Sequence, residues 1–325
     1  MGRNDPDICG ERAPGGPVGP VAERAPRRYR ATMSAIRRFD GRPARGVPAY
    51  RRIVPFVLRG RNESAVYFEQ SVDLRATLPW LDAVNRTLPV RATLFHLLLA
   101  AIARVLDERP RLNRFVAGRR LYDRDGIWLS FAVKKRMSDD APLSVVKHRF
   151  DPTEPFADMV VRLTDAIERA RSNRPSPVDR EVAWLLRLPR PVLDAAVWTL
   201  RALDYFDVVP RALFAHDPMY ASAFVANLGS IGLDAAYHHL FEHGTCPLFV
   251  TLGRIRRAPV VTDGDRIEVR PIVSLKFTFD ERVEDGLYCA RAIERLCGYL
   301  EAPAEWAGRA PAGASGPTAA SVQRT

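Results

Sequence analysis

Apolar residues recur along this chain in two rhythms, one of period two and one of about 3.6. Ser64 to Val72 alternates and is rich in aromatic and β-branched residues, which predicts a strand. Asp73 offers a helix cap before Leu74, Leu78, Leu81 and Val84, but Pro79 inside that run kinks the helix or delays its start. Thr93 caps the next helix, LFHLLLAAIARVLDE, which Pro110 stops. It is apolar on almost every face, so it is expected to run through the core. Asp123 to Gly126 is a turn; Ile127 to Val133 and Pro142 to Phe150 are strands. Thr153 then caps an amphipathic helix with Phe156, Met159, Val160, Leu163 and Ile167 on one stripe.

The second half changes character. SNRPSP is a loop, and EVAWLLRLPRPVLDAAVWTLRALDYFDVVP predicts two short apolar helices broken at Pro189 to Pro191. Such a stretch suits a lid over a pocket or a membrane surface, and the lid is preferred. Strands return at Ser222 to Leu228, Pro247 to Ile255 and Ile272 to Phe279, with a hairpin around Thr262 to Arg266. The last helix spans Leu287 to Leu300, with Ala290, Ile293, Leu296, Cys297 and Leu300 inward. Residues 1–46 and 304–325 are rich in Pro, Gly, Ala and Arg without periodicity, and are expected to be a disordered basic leader and a disordered tail around one domain, 47–303. Strands and helices alternate first, then strands dominate. The expected architecture is α/β, an α+β two-layer sandwich with a mixed sheet.

Charge changes this picture little. The net charge of +11 is carried mostly by the first sixty residues, which hold 13 Arg against 5 acidic residues. No aromatic residues interleave the basic ones in a known motif, so no nucleic-acid partner is expected. Four cysteines form no CxxC pair, and neither a disulfide framework nor a metal site is expected. The N-terminus lacks the apolar core of a signal peptide, and no run reaches the length of a membrane span. No membrane partner and a cytoplasmic location are therefore expected. Dinucleotide, Walker and HExxH motifs are absent, as are repeats. His96 lies on an apolar helix and is expected to be a packed, hydrogen-bonded group.

Candidate chemistry gathers in FTFDERVEDG, Phe277 to Gly286, where a strand ends and the last helix begins. Glu281 and Asp285 flank Arg282 there. The stretch resembles the terminal signature of the acyltransferase catalytic domain of 2-oxoacid dehydrogenase complexes, whose fold is shared with chloramphenicol acetyltransferase. That signature is Asp-His-Arg, two variable residues, then Asp-Gly; here it is Asp280, Glu281, Arg282, Val283, Glu284, Asp285, Gly286. Further blocks resemble the same domain in the same order: LLLAAIARVLDERPRLNRF, IWLSFAV, SAFVANLGSIG and PLFVTLGRIRRAPVVTDGDRIEVRPIVSLKFTFDERVEDG. The chain closely resembles a stand-alone subgroup with Asp-Glu-Arg in the signature.

The resemblance implies a chloramphenicol acetyltransferase-like fold, a homotrimer, and an active site between subunits on a channel entered by coenzyme A and by the acyl acceptor. It implies that the signature's second residue is the general base and that a hydroxyl in the Asn-Leu-Gly block bonds the oxyanion. It also implies that Asp285 pairs with an arginine near the start of the domain, for which Arg59 and Arg61 are the candidates. Asp280, Arg282 and Gly286 would orient the site, with Glu281, Asp285 and Asn227 as its catalytic candidates. Two departures stand out: the base is Glu281, and the hydroxyl position is Ala226. A glutamate has an ordinary pKa of about 4.3, a poor match to a thiol near 8.5, so a working Glu281 is expected to be partly buried. No lipoyl group is expected on this chain. Two functions follow. One is transfer of an acyl group from a coenzyme A thioester to a small acceptor. The alternative is an inactive trimer that serves as a binding or scaffold protein.

Overall fold

The computed structural model describes residues 38–134, 143–171, 186–208, 211–262 and 264–308. A six-stranded mixed sheet organises them. Its strands are β2 (Ala65–Asp73), β5 (Ile127–Lys134), β6 (Leu143–Phe150), β7 (Ala223–Asn227), β8 (Leu248–Thr262) and β9 (Arg266–Asp280), in the order β2-β9-β8-β7-β5-β6. The pairs β5 with β7 and β7 with β8 are parallel, and the rest antiparallel. A smaller sheet sets β4 (Arg120–Arg124) between β1 (Gly41–Pro43) and β3 (Arg114–Ala117).

Period two sorts the large sheet's side chains onto two faces. Val225, Val250, Leu252, Val273, Leu275 and Phe277 face the helices, within the main core. Phe224 and Phe249 point the other way, onto Ala221, Leu240 and Cys246. The helical layer contains α2 (Thr77–Val84), α3 (Leu94–Glu108), α4 (Phe156–Arg171) and α7 (Gly286–Glu301). As expected, α3 runs through the core and buries Leu94, Leu97, Leu98, Leu99, Ile102, Val105 and Leu106. Pro79 delays α2 rather than kinking it, because proline is tolerated in a first turn. Thr153 does not cap α4; its N–H and hydroxyl are both donated to Asp151. On α7, Cys289, Ala292 and Tyr299 join Ile293, Leu296 and Leu300 inward, while Ala290 and Cys297 are only half-buried.

Three further boundaries differ from the sequence-based expectation. The fold starts before residue 47: β1 pairs with β4, and Arg38 is buried beneath it. At the other end Trp306 packs on Tyr299, and Trp80 donates to the Gly308 carbonyl. The rest of the expected leader and tail lies outside the described residues. Finally, β8 and β9 run well past their expected ends as a two-stranded ribbon. Arg254, Arg256, Arg257, Glu268 and Arg270 interrupt the apolar alternation there; main-chain pairing carries the ribbon, and Arg270 ties it to Asp73 at 2.8 Å. Of the two short helices expected after residue 180, the first falls outside the described residues. The second is α5 (Arg190–Tyr205), a single helix of 16 residues, followed by the one-turn α6 (Arg211–Phe214).

Arg38 ties these pieces together. Its guanidinium donates to Asp40 (2.9 Å), Asp204 (2.7 Å) and Asp207 (2.9 Å), joining β1 to the end of α5. Burial alone would favour the neutral form; Asp40 and Asp204 outweigh it and raise the pKa. Replacing Arg38 by Ala would remove the cation that Asp40, Asp204 and Asp207 share, leaving Asp40 with Arg124 at 3.9 Å, and a loss of about 3–5 kcal/mol is expected by urea unfolding. A chain beginning at residue 47 should show a deficit of the same order; one beginning at residue 36 should not.

His96 is packed, as expected, and completes a capping box: the Thr93 N–H donates to its Nδ1 (3.2 Å). Burial pulls its imidazole down to about 4. The fold therefore holds it neutral while the unfolded chain takes up a proton near pH 6.5. Stability should be full above that pH and fall by roughly 3 kcal/mol as pH drops to 4. His96→Gln should flatten this dependence in unfolding titrations.

Candidate functional site

The signature turn is built on buried charge. Asp280, at the end of β9, is 1% exposed and accepts two bonds from the Arg282 guanidinium, at 2.8 and 2.7 Å. Arg282 also reaches the Arg59 carbonyl at 2.8 Å. This bidentate pair folds the strand end back on itself. Val283 N–H donates to the Asp280 carbonyl, which sends Val283 and Glu284 into the interior. Asp285 then caps α7, accepting from the Tyr288 N–H at 2.9 Å. That bond first, then Glu284 and the charges of Arg51 and Arg111, hold the Asp285 carboxyl below its usual range.

The helix α1 (Ala49–Val57) supplies the clamp. Its Arg51 is buried, donates to the Glu281 carbonyl (3.0 Å), and lies 3.8 Å from both Glu284 and Asp285. Arg51 is therefore the partner of Asp285, in place of Arg59 and Arg61. The Arg59 side chain is exposed, and only its carbonyl enters the site. Arg61 turns away and donates to the carbonyls of Val116, Phe241, Glu242 and Gly244. Sequence reasoning also passed over Glu284, whose side chain is 3% exposed and meets Arg111 at 3.2 Å. The sequence held no signal for Arg51, whose orientation is a property of the fold. On α1 the apolar residues Tyr50, Ile53, Phe56 and Val57 face outward while an arginine faces in, an inversion that only a buried partner explains.

Glu281 itself is exposed on the single chain, not partly buried as expected. Its main chain is fixed on both sides, by its N–H to Ser64 and by Arg51 on its carbonyl. Behind the turn lies an apolar cavity of about 50 Å³ between α3, α7 and the sheet, walled by Phe277, Phe279, Val283 and Cys289 with Asp280 and Glu284 at one end. Burial pushes the Cys289 thiol up to about 12, which keeps it protonated.

Ala226 and Asn227 end β7. The Asn227 Oδ1 accepts from the Ser230 N–H (3.1 Å), and the Ser230 hydroxyl donates to the Asn227 carbonyl (2.7 Å). The same turn brings Gly229 against β8: a Cβ there would stand 2.4 Å from the Gly253 carbonyl, so the Asn-Leu-Gly block needs its glycine for close approach. His238 lies flat on Phe249 at 3.9 Å, and His239 bonds the Leu240 carbonyl. Among the described residues no three His, Cys, Asp or Glu side chains gather as metal ligands. No helix among them is long and apolar enough to cross a membrane.

Register separates the two halves of this site. Ala226 pairs with Thr251 on β8, and Thr251 with Lys276 on β9. Two strand spacings across and four residues along to Asp280 amount to roughly 17 Å. Within one chain the signature turn and the Asn-Leu-Gly turn do not meet.

Comparisons with known proteins agree with this geometry. The family model of the 2-oxoacid dehydrogenases acyltransferase (catalytic domain) matches residues 211–307, which contain both turns. The chain shares the fold of the solved acyltransferases of this kind. The dihydrolipoamide acetyltransferase of Azotobacter vinelandii superposes with a TM-score of 0.54 at 19% identity, over 81% of this chain and 93% of that one. A probable dihydrolipoamide acetyltransferase from Listeria monocytogenes gives 0.53 at 17% identity, over 82% and 96%. The lipoamide acyltransferase component of the branched-chain alpha-keto acid dehydrogenase complex of Bacillus subtilis is 24% identical over 220 residues, 68% of this chain. The present chain spans 42% of that relative's length. Its mixed sheet and helical layer match the acyltransferase architecture that the resemblance implied.

The Arg51 clamp is testable by a double-mutant cycle. Arg51→Met leaves Glu284 buried with Arg111 alone, and about 3 kcal/mol of stability should be lost. In a Glu284→Gln background the same change should cost less than about 1 kcal/mol, because the stranded charge is gone. Equal losses in the two backgrounds would mean that Arg51 and Glu284 do not act as a pair.

Proposed function

We propose that this protein transfers an acyl group from a coenzyme A thioester to a small acceptor, at a centre shared by two copies of the chain in a homotrimer. The observation that carries this reading is the bracing of Glu281. Asp280, Arg282, Arg51 and Glu284 are all buried, yet the side chain they surround is exposed. Burying that many charges is costly unless a fixed geometry is the return. The roughly 17 Å between Ala226 and Asp280 supports a shared centre, because one copy's turn needs another copy's Asn-Leu-Gly block to complete it. The β8–β9 ribbon supports the assembly, since it exposes Val261, Ile267 and Val269 as an apolar surface for a neighbour.

In this reading the acceptor's nucleophile attacks the thioester carbonyl, the C–S bond breaks, and coenzyme A leaves as the thiol. Glu281 holds the acceptor and takes its proton. A carboxylate suits an amine better than a thiol, because it attracts the ammonium form and can accept the proton as nitrogen bonds to the carbonyl. With Ala226 in the hydroxyl position, oxyanion stabilisation falls to main-chain donors, and turnover is slow by the roughly 10²–10³ that one such donor contributes elsewhere. A 2-oxoacid dehydrogenase role and a scaffold role are the competing readings. The replaced base and hydroxyl favour the scaffold.

Glu281→Gln should lower turnover of an acyl-coenzyme A with an amine acceptor about 10²-fold while light scattering still reports the trimer. Glu281→His together with Ala226→Ser should raise thiol acetylation above background. Failure of coenzyme A to bind by calorimetry at about millimolar concentration, with no effect of Glu281→Gln, would leave the scaffold reading.

A further inference from the structure

The helix α5 has no buried residue, although it is 16 residues long. Trp198 is 71% exposed, and Phe206, just past its end, is 70% exposed. Water is a poor solvent for such a surface, and exposed apolar area of this extent marks a contact site. It adjoins a second one. The Arg119 guanidinium stacks over Phe56 of α1 at 5.6 Å and over Tyr205 of α5 at 6.0 Å, so the outward faces of the two helices meet at that residue. Of the twenty large apolar side chains exposed among the described residues, eleven lie on α1 or between Leu186 and Val208, so the surface is concentrated rather than scattered.

Charge decides what covers it. Asp204 and Asp207 turn inward to Arg38, which removes two acids from the outer surface. Arg187, Arg190 and Arg201 stay exposed, against Asp194 alone in the same stretch. Opposite them α1 exposes Arg52 and contains no acid. The result is an apolar strip with exposed aromatic residues and a fringe of arginines. A second copy docking patch to patch would set arginine against arginine, which is repulsive. A bilayer with anionic headgroups meets both demands: acyl chains take Trp198, Phe206 and Ile53, and phosphates take the arginines.

We infer that the faces of α1 and α5 seat the protein on an anionic lipid surface, as a peripheral contact without a spanning segment. This takes up the membrane surface that the sequence offered beside the lid for this stretch, and departs from the expectation of no membrane partner. The inference is independent of the acyl-transfer reading, because neither helix face includes Glu281, Ala226 or the cavity.

Cosedimentation of the full chain with vesicles of phosphatidylcholine, with and without about a third phosphatidylglycerol, tests it. Binding should require the anionic lipid and weaken with salt. Trp198→Ser with Phe206→Ser should lower partitioning at least tenfold, and Arg190→Glu with Arg201→Glu by about fivefold per arginine. Tyr67→Ser, on the edge strand β2, should leave it unchanged. All five positions are exposed, so folding should survive, as circular dichroism would check. Equal binding to neutral vesicles overturns the inference. So does binding that neither double variant reduces, which would assign it to the basic N-terminal segment. A change of oligomeric mass in the double variants without lipid would overturn it too, since a second copy would then be what covers the patch.

Discussion

Buried arginine–carboxylate pairing is the constraint on which this structure depends. An isolated charge in a protein interior costs several kcal/mol, so each buried arginine dictates where a carboxylate must lie. Arg282 fixes Asp280 and so ends β9. Arg51 fixes Glu284 and Asp285 and so sets where α7 starts. Arg38 fixes Asp40, Asp204 and Asp207 and so ties the small sheet to α5. None of these pairs needs to add much net stability. Each makes the alternatives worse, because any other arrangement strands a charge.

The signature turn shows how such pairing can outlive a change of chemistry. Asp280, Arg282 and Asp285 are required by the turn and the helix cap whether or not anything reacts there. Glu281 is different: only its main chain is held, so its side chain is free to be whatever the reaction needs. Retained framework residues therefore say little about turnover, and the exposed position between them says most. The Asn-Leu-Gly block behaves likewise. Gly229 is demanded by close approach to β8 and Asn227 by its own turn, whereas Ala226 carries no such constraint.

The cavity behind the turn follows from the same arrangement. Val283 and Glu284 are drawn inward together, one to pack and one to pair, and the apolar walls of α3 and α7 do not close fully over them. An apolar space with a carboxylate at its end is an expected by-product of turning a strand into a helix over a buried ion pair.

The amino-acid sequence by itself determined most of the element order. Period two and period 3.6 are local properties, so β2, β5, β6, α3, α4 and α7 were legible within a few residues. The motif residues Asp280, Glu281, Arg282 and Ala226 were legible because their spacing along the chain is itself the signal. Boundaries failed where tertiary contacts replace local pattern. Arg38 lies in a stretch without periodicity, and two of the three carboxylates that order it, Asp204 and Asp207, lie far along the chain. The ends of β8 and β9 carry charges on both faces and are held by main-chain bonds that leave no side-chain rhythm. Arg51 and Glu284 are two charged residues among many in the sequence, and only the fold, by burying both, makes them partners. That Ala226 and Glu281 lie apart within one chain was decided by register, since a sheet converts sequence order into distances that no local pattern records.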